Sequence, residues 1–172
     1  DLSAGLGSIT FQDAVGSNVR LGEIVVINAL DATFNSTVSA FAFTQLAGTG
    51  TTTFAQLFDY TNNFEFIGNN LTVNGVGDNT VGTNMDVIND GLFTTDVGSN
   101  LLVVSFFDQF GTGANSIGGD VSSTDFGKYP LNFRQGFDAL FQCFLQGNGL
   151  TERRTRDAQR MHGNITFIQI RG

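Results

Sequence analysis

Carboxylates are the only groups in this chain crowded enough to suggest a metal site. The stretch DNTVGTNMDVINDG, residues 78 to 91, gathers Asp78, Asp86 and Asp90 with Asn79, Asn84 and Asn89. Hard oxygen donors of this kind are what calcium takes. The EF-hand spacing is absent, as is the glycine-rich calcium-binding nonapeptide. Two readings stand, a calcium cage and a set of solvated turn residues, and the second is favoured. Calcium aside, nothing in the sequence asks for a cofactor.

Other chemistry has less to work with. His162 is the only histidine and Cys143 the only cysteine, so no His/Cys metal cluster can be assembled. His162, among Arg160, Met161 and Gly163, reads as a surface side chain. Cys143, in FQCFLQ between apolar neighbours, reads as a buried, inert thiol. No serine nucleophile elbow is present. GTGTTTF and GTGANSIGG are rich in glycine but lack the lysine and following helix that cradle phosphate, so they read as turns.

Composition sets the class of protein that must carry these residues. Hydrophobic residues make up 41% and charged ones only 14%, with 18 Phe, 22 Gly, one Pro and no Trp. Branched and aromatic side chains suit pleated strands and small ones suit tight turns, so the chain is expected to be all-β. Its net charge of −8 argues against nucleic-acid binding. That charge is unevenly spread: residues 1–127 hold 13 acids and one base, Arg20, whereas residues 128–172 hold seven bases and three acids. A single cysteine excludes an intrachain disulfide. No apolar run approaches the ~18 residues of a membrane span, and no signal peptide is evident, as in a mature or excised segment.

Short strand-like pieces recur throughout, among them SITFQDAV, EIVVINAL, TTTFAQLF, FEFIG, NLTVNGV and LLVVSFFDQF, divided by Gly, Asn, Asp or Ser turns. In Ile9-Thr10-Phe11 and Leu71-Thr72-Val73-Asn74 apolar and polar residues alternate, as half-buried strands require. Two internal repeats stand out. FTQLAGTGTTTF, from residue 43, lies over FDQFGTGANSI, from residue 107, with one residue's gap before GTG, and GSITF at residue 7 returns as GNITF at residue 163. Units of about 20 residues that cannot bury their own apolar face gain stability by stacking. A parallel β-helix follows, with coils ~4.8 Å apart and like residues in Phe, Val, Thr and Asn ladders. A β-sandwich or jelly roll is the alternative.

In the order of these phrases, GSITFQDAVGSNVRLGEIVVINALDATFNSTVSAFAFTQLAGTGTTTF, NNLTVNGVG, FDQFGTGANSIGGDVSSTD and GNITF, the chain resembles one long repeat of giant bacterial surface proteins related to filamentous haemagglutinin and autotransporter passengers. The likeness covers about residues 1–127 and 163–172. It implies a right-handed parallel β-helix, secreted or displayed at the cell surface, serving as an adhesin, spacer or fibre, and it brings no catalytic residues. Polysaccharide-cleaving β-helices set Asp, Lys and Arg together on one face, and here residues 1–127 offer only Arg20.

The chain divides accordingly into solenoid coils over 1–127, an atypical basic segment over 128–162, and the start of a next repeat over 163–172. In the basic segment, LTERRTRDAQRMHG reads as a short helix capped by Thr151, with Glu152–Arg156 and Arg153–Asp157 pairs and a stop at Gly163. It reads as a loop excursion from one coil, as a segment whose true sequence differs from the one written, or as a basic helix that docks on an acidic surface such as that of the next copy. The expected function is a non-enzymatic structural or adhesive module of an extracellular or cell-surface protein. Its partners would be other copies, adjacent repeats, or host or matrix glycans, with no nucleic acid and no membrane span. A strand-donating, calcium-dependent fibre subunit and a polysaccharide-binding or polysaccharide-cleaving β-helix are the alternatives.

Overall fold

The computed structural model describes residues 1–126, and every regular element in them is a β-strand. After β1 (Leu2–Ser3), the chain winds through six coils. The first holds β2 (Ile9–Phe11) and β3 (Leu21–Asn28), the second β4 (Ala32–Phe34) and β5 (Val38–Gln45). The third holds β6 (Thr51–Phe54), β7 (Phe58–Tyr60) and β8 (Phe64–Gly68). In the fourth come β9 (Asn70–Val73), β10 (Gly77–Val81) and β11 (Met85–Asn89). The fifth has β12 (Leu92–Thr95) and β13 (Ser99–Phe110), and the sixth β14 (Ala114–Ile117) and β15 (Val121–Phe126). All pairings between these strands are parallel. The fold is therefore a β-solenoid, and the sandwich alternative, which needs antiparallel pairs, is set aside.

Each coil lays down three strips. The first is the sheet β2-β4-β6-β9-β12-β14. The other two belong to a second sheet that turns a corner within each coil. Long strands run through that corner: β5 pairs with β7 through Val38–Ala40 and with β8 through Phe43–Gln45, and β13 pairs likewise with β10 and β11. On the first strip Thr10, Thr33, Thr53, Thr72, Thr94 and Ser116 stack in register, so successive coils take 23, 20, 19, 22 and 22 residues. That spread around 20 is the loose period seen in the sequence.

Parallel register places like residues one strand apart, which is why phenylalanine recurs. Phe11, Phe34 and Phe54 stack with centroids 4.8 Å apart at each step and planes within 6°. Phe43 and Phe64 stack at 4.9 Å in the second sheet. Such pairs contribute about 0.5–1.5 kcal/mol beyond their buried area. Ile9 and Phe11 pack on the core while Thr10 is exposed, and Leu71 and Val73 are buried on either side of half-buried Thr72, as the alternation predicts.

The repeated FxQ and GTG frame encodes a buried hydrogen bond across a corner. Gln45 and Gln109 occupy the same column, three coils apart, through Phe66 and Val87. Thr52 and Asn115 share another, through Leu71 and Phe93. Thr52 Oγ1 donates to Gln45 Oε1 at 2.7 Å, and Asn115 Nδ2 donates to Gln109 Oε1 at 2.9 Å. The intervening coils fill both columns with apolar side chains. Between the partners the backbone runs against the coil below: a Cβ on Gly113 would lie 1.8 Å from the Gly91 carbonyl oxygen, which only glycine avoids.

Candidate functional site

Outward residues of the second sheet form the most organised surface. Glu65, Asp86 and Asp108 stand in register on β8, β11 and β13, an acidic column one strand per step. Thr44 continues it on β5 and donates to Glu23 Oε1 at 2.8 Å. Two residues further along each strand runs an apolar column: Ile67, Ile88 and Phe110 in register, with Leu46 and Ile27 on the coils below. Leu46 donates its N–H to the carbonyl of Val26, the residue before Ile27, which holds that end of the column in step. Ile27, Leu46, Ile67 and Ile88 are each 38–49% exposed.

The acidic column is electrostatically strained. Like charges directly opposite on paired strands repel, and the Asp86 carboxyl is pushed above its usual value by partial burial and by the neighbouring charges of Asp108 and Glu65. Asp59 is the opposite case. Partial burial alone would raise it, yet hydrogen bonds from Thr80 and Arg20 and the Arg20 charge hold it below its usual value. Thr80 Oγ1 donates to Asp59 Oδ1 at 2.6 Å. The Arg20 guanidinium pairs with the Asp59 carboxylate and also donates to the Ala40 and Asp59 carbonyls, at 3.0 and 2.7 Å. Arg20 follows Val15 in a loop of the first coil and reaches the third, so it straps coils together. The one base within residues 1–127 is thus already engaged.

The three aspartates proposed for calcium are not brought to one another. Asp78 accepts from Asn100 Nδ2 at 2.9 Å, Asp86 faces Glu65 and Asp108, and Asp90 follows β11 beside Thr112. Among the described residues no group of three or more His, Cys, Asp or Glu side chains is placed to hold a metal ion. The corner at residues 82–84 separates Asp78 from Asp86, and residues near in sequence diverge around a coil while residues one coil apart meet. Glu65 and Asp108 were missed for that reason, although a signal existed: EFI at 65, DVI at 86 and DQF at 108 repeat an acid, one spacer and an apolar residue at steps of 21 and 22. Cys143, His162, the basic segment of 128–162 with its expected short helix, and the returning GNITF all lie outside the described residues.

A second ordered surface is the hydroxyl column of Thr10, Thr33, Thr53, Thr72, Thr94 and Ser116 on the first sheet. Comparison with protein-family models, with curated proteins and with solved structures returned no match. Fold and surface together define a β-solenoid whose ordered features are long columns of like residues.

Proposed function

We propose that this chain is a non-enzymatic structural module of an extracellular or bacterial cell-surface protein, and that copies or adjacent repeats join end to end into a rod. The observation that carries this reading is the stacking itself: the described coils add one strand at a time through parallel pairs, the same pairing by which a further coil would join. Among the described residues β2 pairs only with β4 and β1 only with β3. Unpaired strand edges are templates for further strands. Ile9 donates its N–H to Asp31, so by strand alternation the Thr10 N–H faces the open edge. Thr10→Pro therefore removes an edge donor without breaking a bond within the solenoid. Light scattering after size exclusion tests this. The mass of the natural chain should rise with concentration and the T10P chain should stay monomeric; a natural chain that is monomeric at every concentration would count against the rod.

A further inference from the structure

We infer that the paired acidic and apolar columns of β5, β8, β11 and β13 are a docking strip for residues 128–162 of the same chain. The inference is independent of end-to-end assembly. Its first support is complementarity. The strip sets Glu65, Asp86 and Asp108 beside Leu46, Ile67 and Ile88, two parallel rows of opposite character. Residues 128–162 carry the matching pair of characters in order: an apolar run with Phe137, Leu140, Phe141 and Phe144, then Arg153, Arg154, Arg156 and Arg160. That segment holds six of the chain's eight bases, whereas residues 1–126 hold only Arg20, which is paired with Asp59.

The second support is where the described chain ends. Phe126 pairs with Phe107, so the described chain ends one residue short of the row that holds Asp108, at the top of this same strip. From Ile27 to Phe110 the strip spans four strand spacings, about 19 Å, which roughly six extended residues cover. Thirty-five residues are ample. Tethering gives the segment an effective concentration of order millimolar, so modest contacts suffice for docking within one chain. Neutralising the column would also relieve the repulsion that burdens Asp86.

Cys143, the only cysteine, lies within the apolar run and supplies the probe. A benzophenone attached to it in denaturant before the full chain is refolded, then activated by light and mapped by mass spectrometry, should mark residues around Ile67 and Ile88 in the monomeric fraction. The variant carrying Glu65→Gln, Asp86→Asn and Asp108→Asn keeps the strands and should lower the docked-to-undocked ratio about tenfold, the worth of two or three exposed ion pairs. Marks on β14 and β15 or on the threonine column, marks only between chains, or a yield unchanged in the triple variant would each overturn the proposal. The T10P chain, in which end-to-end contacts are blocked, should give the same marks, which separates failure of docking from failure of the rod.

Discussion

With Arg153, Arg154, Arg156 and Arg160 all changed to Gln, so that no docked base neutralises the acidic column, replacing Asp86 by Asn should stabilise the protein at neutral pH. Asp86 sits between Glu65 and Asp108 at one strand spacing on either side, so two like-charge contacts vanish while an isosteric polar side chain remains. Each such contact costs a few tenths of a kcal/mol on a solvated sheet face, which gives about 1 kcal/mol for the pair. For a solenoid of this size that corresponds to a rise of about 3–4 °C in melting temperature. The pH dependence fixes the sign independently. The folded-state pKa of Asp86 is raised, so its charged form is disfavoured in the native state, and the chain that keeps Asp86 gains stability as pH falls through that raised value. The gain from Asp86→Asn should therefore be present near pH 7, shrink toward pH 3 and shrink again in molar salt. Thermal melts followed by circular dichroism at several pH values measure this. A loss of stability at pH 7, or a gain independent of both pH and salt, would refute the repulsion argument.

Three further substitutions probe the interior and the strap. Tyr60 is fully buried among Phe43, Phe54, Phe58 and Phe64 with a hydroxyl that finds no hydrogen-bond partner among the described residues, and burial raises its pKa well above the usual value. Tyr60→Phe should stabilise by about 1 kcal/mol in urea titrations, and a loss would show that the hydroxyl is paired after all. Gln45→Leu should cost about 2 kcal/mol because it orphans the buried Thr52 hydroxyl, whereas Gln45→Leu with Thr52→Val should recover most of it; an unrecovered double variant would mean the pair does more than satisfy itself. Arg20→Gln should destabilise by about 1 kcal/mol at pH 7, discounted for the exposure of both side chains. The lowered pKa of Asp59 makes the ion-pair share of that contribution full above its unfolded value and lost as pH falls through the folded one, so the difference between R20Q and natural melts should narrow in acid to what the Ala40 and Asp59 carbonyl bonds hold.

The fold was legible because its signals are local or nearly so. Ile9-Thr10-Phe11 and Leu71-Thr72-Val73 announce strands by alternation, and the FxQ and GTG frame announces a repeated corner whose buried Gln45–Thr52 and Gln109–Asn115 bonds explain why those residue types recur. The site was less legible because surface columns depend on register. Coils of 19 to 23 residues have no fixed period, so Asp86 looked closest to Asp78 and Asp90 along the chain when its true neighbours are Glu65 and Asp108 on adjacent coils. The partner of Arg20 was hidden for the same reason, since Asp59 lies two coils away.

Cryo-electron microscopy of the concentrated chain tests the central claim most directly. The account predicts rods one solenoid wide, with strands crossing the axis at spacings of ~4.8 Å and lengths that grow by whole chains. Isolated particles one chain long at every concentration, or fibres whose repeat is tens of ångströms with no ~4.8 Å spacing along the axis, would contradict it.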